Sequence, residues 1–228
     1  MRHTKFMALV LFAVVAALSV TPANAALLGT VNIQNHSNGL SDQAYLYGGG
    51  LNGGPYYTGV YSWTNAGGTG LGTQVPNWGF CIELTQGTVA GWQDVVSLDS
   101  APVPAQYGTP MGAFKADRIS ELWGRHFDPT WTTGANKQLA EAFGAAIWEI
   151  IYETDSTWDV TSGTGFNATG IEQAATANAW LAELDGTGPR AFVYATSSPD
   201  GQDFVVPEPA TLSLLAIGAA ALLQRRKR

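Results

Sequence analysis

The stretch NKQLAEAFGAAIWEIIY, residues 136–152, decides the fold. Leu139, Phe143 and Ile147 recur at i, i+4 spacing, continued by Ile150 or Ile151. That spacing lines one face of an α-helix with apolar side chains. Glu149 and Glu153, one turn apart, read as the solvated polar face of the same helix. Two carboxylates in reach of each other can also serve glycoside hydrolysis, but their place on an amphipathic helix favours solvation. Asp155 and Asp159 fall in the loop beyond.

Working outward, a helix is expected on each side. Thr109-Pro110 offers an N-cap with Pro at the first helical position, followed by Ile119, Leu122 and Trp123 at helical spacing. Gly124 or Asp128-Pro129 would end it. A third helix opens on the capping-box pattern Thr169-Gly170-Ile171-Glu172. It carries Ile171, Ala174, Ala175, Leu181 and Leu184 and stops at Gly186. Upstream, from Ala26 to about Thr109, the chain is rich in Gly, Asn, Thr and aromatics. Short β-prone stretches, Ala44–Tyr47, Val60–Trp63 and Phe80–Leu84, are punctuated by Gly48-Gly49-Gly50, Gly53-Gly54 and Gly67-Gly68. Residues 48–72 also suit a loop-like linker. Thr88 to Leu98 adds further strand. Downstream, Ala191–Tyr194 and Gln202–Val206 flank the turn Ser198-Pro199-Asp200-Gly201. The pattern predicts an α+β domain: Gly-rich antiparallel strands, about three helices, then closing strands.

The two ends differ from this middle. Arg2 and Lys5 precede the apolar run Phe6 to Val20, and Ala23-Asn24-Ala25 follows it. This is the order of a secretory signal peptide, residues 1–25, cleaved after Ala25; a buried N-terminal helix is the other reading. At the far end, Pro207-Glu208-Pro209 precedes an apolar run from Ala210 to Leu223, then Arg225, Arg226, Lys227 and Arg228. The run is 14 residues long, where a stable membrane-spanning helix needs about 20. The basic end would hold it at the inner face of a membrane. Proline favours extended backbone at and before its own position, so the motif should be an unpaired, extended peptide. The trio of Pro-Glu-Pro, short apolar helix and Arg-rich end resembles the PEP-CTERM sorting tail of Gram-negative bacteria. The resemblance implies recognition by an exosortase, a membrane-embedded cysteine protease, with the anchor removed or exchanged. A temporary anchor tolerates being short; a permanent C-terminal anchor is the alternative. The domain map is then 1–25 signal, 26–206 exported domain and 207–228 sorting tail, with the apolar helix at 210–223.

Residues 26–206 hold 5 basic and 17 acidic residues, a net charge of −12. Such a surface repels nucleic acid and anionic lipid headgroups. All eight Trp lie in this segment, so large aromatics must supply much of its core. The single cysteine, Cys81, permits no internal disulfide. No zinc spacing, calcium loop, phosphate loop or Ser-His-Asp pattern occurs, and no cofactor is expected. Tyr56, Tyr57, Tyr61 and Trp63 beside the Gly-rich segments could pack a thin sheet or stack on sugar rings.

Phe80-Cys81-Ile82-Glu83 and Ala145-Ala146-Ile147-Trp148-Glu149 together resemble the thioester-domain signature of bacterial surface adhesins. In that family a strand Cys and a helix Gln four residues before the Trp form an internal thioester that acylates a surface nucleophile. Here the Gln position, four before Trp148, is Gly144. Gln138, six residues earlier, faces elsewhere at about 100° per residue. The resemblance thus implies an inherited fold with the bond lost. Cys81 reads otherwise as a small buried side chain. It could also be a nucleophile with His126 as base and Asp128 or Asn136 as orienter. The expected protein is an exported, exosortase-sorted surface or matrix component, non-enzymatic, structural or exopolysaccharide-associated. Its expected partners are signal peptidase, exosortase, transiently the inner membrane, and exopolysaccharide. A covalent adhesin using Cys81 and a secreted hydrolase using Cys81 and His126 are the alternatives.

Overall fold

A computed structural model describes residues 27–48, 50–103 and 109–208. The expected signal peptide with Ala23 and Ala25, Pro209, the apolar run 210–223 and the basic residues Arg225, Arg226, Lys227 and Arg228 lie outside the described residues. No helix among the described residues is long and apolar enough to cross a membrane.

Seven strands and three helices follow in the order β1 (Gly29–Gly48), β2 (Leu51–Gly70), β3 (Trp78–Cys81), β4 (Gly91–Ser97), α1 (Ala113–His126), α2 (Lys137–Tyr152), β5 (Phe166–Thr169), α3 (Ala174–Ala182), β6 (Val193–Ser198) and β7 (Gly201–Pro207). The sheet order is β2-β3-β7-β6-β4-β1-β5, and β1 also pairs with β2. Six strands therefore form a closed antiparallel ring. The start of β1 is shared: Gly29 faces Val95 of β4 on one side and Gly70 of β2 on the other. β5 pairs with the far end of β1, Tyr45 to Gly48. Closure leaves few unpaired backbone edges, an advantage for a chain without disulfides.

The α+β prediction holds in outline, and three local readings need correction. First, the Gly-rich region is neither a set of short strands nor a linker: β1 and β2 are 20 residues each. Four register shifts along their ladder absorb the Gly-rich stretches as bulges. Second, α1 does not start at Thr109-Pro110. Its N-cap is Gly112 at φ 85, because Met111 and Gly112 donate to Ala101 O and Asp99 O and hold the preceding chain elsewhere. Nor does Gly124 end it; the backbone of Pro189 packs where a side chain would stand. Third, Thr169 closes β5 and caps nothing. The Glu172 N–H donates instead to Glu141 Oε2 at 3.2 Å, and α3 begins at Ala174 with no side-chain cap. The α2 bounds and the β6–β7 turn match expectation.

α2 is buried around its whole circumference from Ala140 to Tyr152. It packs on β1 and β2 on one side and α3 on another. Phe143 and Ile147 are fully buried and Trp148 nearly so. Phe143 joins an aromatic cluster with Phe80, Trp123, Phe127 and Trp131, at centroid distances of 5.0 Å from Phe80 and 5.3 Å from Trp131. Full encirclement also overturns the solvated-face reading: Glu149 and Glu153 are both buried.

Candidate functional site

Cys81 is the last residue of β3, and the chain after it leaves the sheet held by hydrogen bonds from three side chains. The Cys81 thiol donates to Glu83 O at 2.8 Å. Leu84 N donates to the Tyr152 hydroxyl at 3.1 Å, and that hydroxyl donates to Ile82 O at 3.3 Å. Gln202 Nε2 donates to Glu83 O at 3.1 Å. β7 supplies Gln202 and Asp203, and α2 supplies Tyr152 and Trp148. Two separated segments thus converge on residues 81–88.

Burial dominates the electrostatics. It pushes the Cys81 thiol well above its usual range; the Glu83 carbonyl bond counts the other way, and the Glu83 and Asp203 carboxylates add to the rise. A raised pKa favours the thiol over the more nucleophilic thiolate. Burial also lifts Asp203 to about 7, against the Ser198 N–H and Ser197 hydroxyl that favour its charge. Glu83 Oε1 accepts from Thr85 N at 2.6 Å and from the Thr85 hydroxyl, while its buried Oε2 has no partner among the described residues.

Trp148 and Cys81 come together. The Trp148 indole N–H lies close enough to favour a thiolate on Cys81 but outside hydrogen-bonding geometry to the thiol. Gly144, one turn earlier on α2, faces β2 at Thr58 and Gly59. A Cβ on Gly144 would stand 3.0 Å from the Gly59 amide nitrogen. Gly59 itself holds φ 119, a conformation that suits glycine. The two glycines let helix and strand approach until the space a longer side chain would need is tight. His126 is not among the groups acting on Cys81. It stands 3.3 Å from Glu183 Oε2 and stacks on Trp180. Asp128 accepts the Thr130 N–H, and Asn136 sits at φ 52 at the start of α2.

Above this buried layer opens a cleft of about 510 Å³, lined by Tyr56, Tyr57, Tyr61, Trp148, Gln86 and Gln202 among others. Cys81 is 2% exposed and lies behind Tyr61 and Trp148, outside the lining. The sequence pointed to three of these tyrosines. It did not assemble the cleft, whose walls come from the β1–β2 hairpin, the loop after β3, α2 and β7.

The sorting motif shows a different geometry from the one expected. β7 runs through Pro207, which pairs with Val193 of β6. Glu208 N donates to Phe192 O at 2.8 Å, and the Tyr194 hydroxyl donates to Glu208 Oε1 at 3.0 Å. The first two motif residues are extended, but they are paired to the domain. Ordinary strand pairing explains this: β7 continues its ladder with β6 to Val193, and Pro207 stands at a strand end where its missing N–H costs little.

Two carboxylate anchors escaped the sequence reading. Glu121, fully buried, accepts from Arg118, from Arg125 and from the Gly186 and Gly188 amides. Burial opposes its charge, yet Arg125, the two amides and Arg118 together hold its pKa below the usual range. The i−3 and i+4 spacing of the two arginines was the available signal. Glu153 had no such signal, because its donors sit in the following loop and in β5.

A family model described as the PEP-CTERM protein-sorting motif matches residues 205–228. This supports an exported chain sorted to the cell surface by exosortase. No curated protein and no solved structure matches the chain.

Proposed function

We propose that the chain is a surface or extracellular-matrix protein whose ordered domain is a non-enzymatic module associated with exopolysaccharide, delivered by its C-terminal tail. The observation that carries this is the sorting-motif match over residues 205–228. In this reading residues 1–25 are removed by signal peptidase. The run 210–223 anchors the chain in the inner membrane until exosortase acts beside Pro207, Glu208 and Pro209. The anchor is short because it is temporary. Replacing all three motif residues with Ala should leave a membrane-retained precursor of unprocessed mass. Unchanged processing of that variant would overturn the sorting reading.

The thioester resemblance is a second reading, favoured by the meeting of Cys81 and Trp148 beneath a cleft. With Gly144 in the Gln position, Cys81 is a retained thiol on a scaffold that no longer makes the bond. Intact mass decides it: the protein should carry no loss of one ammonia and should not react with methylamine. A live adhesin would show both, and a hydrolase would lose its activity with Cys81→Ala.

A further inference from the structure

We infer that the cleft over Trp148 is a binding site for a neutral glycan, occupied by two or more sugar units along the β1–β2 hairpin. This deepens the exopolysaccharide reading and rests on it only for the location of the protein.

The chemistry of the walls carries the argument. Among the described residues that line the cleft none bears a charge, in a domain with a net charge of −12. The lining is instead aromatic and amide: Tyr56, Tyr57 and Tyr61 face Gln86, Gln202 and Asn38. Its volume of about 510 Å³ suits a small-ligand site, for which roughly 300–1,000 Å³ is common. A pyranose ring presents an apolar C–H face to an aromatic ring and hydroxyls at its rim to amides. An acidic glycan would meet the field of the surrounding carboxylates with no cation in the cleft to offset it.

Two further observations point to a ligand. Gln86 spends one amide hydrogen on Pro199 O at 2.9 Å and keeps its oxygen. From the cleft wall the aromatic surface continues outward. Tyr57 is 41% exposed and pairs with Gln43; Tyr45, two residues on from Gln43, falls on that same face and is 52% exposed. Strand alternation puts both rings on one side of the hairpin. Exposed tyrosines that no packing requires form a platform leading from the cleft, which suits a polymer better than a single sugar.

The test uses the full chain in detergent, titrated with cellohexaose, laminarihexaose, maltohexaose, mannohexaose and chitohexaose, and with an oligogalacturonate as the acidic counterpart. At least one neutral hexasaccharide should bind, and the oligogalacturonate should not. Tyr57→Ala should weaken binding about tenfold, on the order of 1.4 kcal/mol, with an unchanged unfolding temperature. Its backbone carbonyl still accepts from the Tyr61 hydroxyl, so the cleft keeps its shape. Tyr45→Ala should give a smaller loss. The inference is overturned if no neutral hexasaccharide binds, if the oligogalacturonate binds in preference, or if Tyr57→Ala leaves affinity unmoved. It is also overturned if Tyr57 proves necessary for self-association, since the face would then belong to a second copy. Processing in cells is read separately. Failed processing sinks the sorting reading alone; normal processing without glycan binding sinks the cleft alone.

Discussion

Glu149 and Glu153 leave α2 one turn apart, and both are buried. Yet they differ in charge. Glu149 Oε1 accepts one amide, from Asp159 at 2.8 Å, and its Oε2 has no partner among the described residues. Burial pushes it up to about 8, helped by the Glu153, Asp159 and Asp155 carboxylates and opposed only by that amide. Glu153 accepts the amides of Thr154, Asp155, Gly165 and Phe166. Burial opposes its charge as well, but four backbone donors outweigh it and hold the pKa below the usual range. Glu149 is the more deeply buried of the two, and the count of donors adds to that difference in setting opposite protonation. Donor count also states what each group does: Glu153 ties the loop 153–166 to the helix, whereas Glu149 fills space as a neutral acid.

The strongest way to break this comparison is Glu153→Ala. Four amides would lose their acceptor, one of them the buried Phe166 N–H. Gly163 and Gly165, which pack against Glu153 and its backbone, would lose the group they were shaped around. A loss on the order of 3 kcal/mol is expected, at the upper end for an abandoned buried hydrogen-bonding group. Urea unfolding at pH 7 measures it. A loss below about 0.5 kcal/mol, typical of a plain surface change, would show that the loop holds its shape without the carboxylate.

Glu149→Gln sharpens the same comparison through pH. A carboxyl with a raised folded pKa is protonated in the fold and ionised when unfolded. Its stabilising contribution is complete below the unfolded value of 4.5 and declines as pH rises towards about 8. Gln cannot ionise, and its amide oxygen can still accept the Asp159 N–H. The variant should match the natural chain within about 1 kcal/mol at pH 4.5 and exceed it by roughly 2 kcal/mol at pH 8.5, where ionising the buried acid is costly. Asp203 and Glu141, lifted to about 7, give a similar slope in both chains, so the difference between the chains isolates Glu149. A constant difference across this range would mean that Glu149 is charged in the fold.

These carboxylates also show where sequence reasoning stopped. α2 was legible because Leu139, Phe143 and Ile147 encode its inner face locally. The β6–β7 hairpin was legible because Pro199-Asp200-Gly201 encode its turn. The burial of Glu149 was not, because α3 and the loop after α2 cover a face that the helix period alone assigns to solvent. The 20-residue strands were hidden by their own glycines, which punctuate a sequence whether they make a loop or a bulge. Cys81 was read correctly as a buried small side chain. The cleft that covers it is made by segments as distant as Tyr57 and Gln202, and no local pattern joins them.

A third carboxylate, Glu208, stands at the edge of the domain and yields the smallest effect. It holds the Tyr194 hydroxyl at 3.0 Å and its own amide is tied to Phe192. Burial first, then the Glu208 carboxylate, pushes Tyr194 up to about 12, so the phenol stays a donor at any physiological pH. A protease that reads Glu208 must take it from Tyr194 and peel Pro207 from β6. Tyr194→Phe removes the side-chain tie and leaves the ring to pack. The domain should lose no more than about 1 kcal/mol, the net worth of one such bond. Release of the motif should become easier by the same amount, and conversion of precursor to product in pulse-chase should quicken a few-fold. An unchanged rate would show that strand release does not limit processing. A slower rate would reverse the role of Tyr194: the hydroxyl would then be holding Glu208 out for the protease, and the domain would belong to the recognition site.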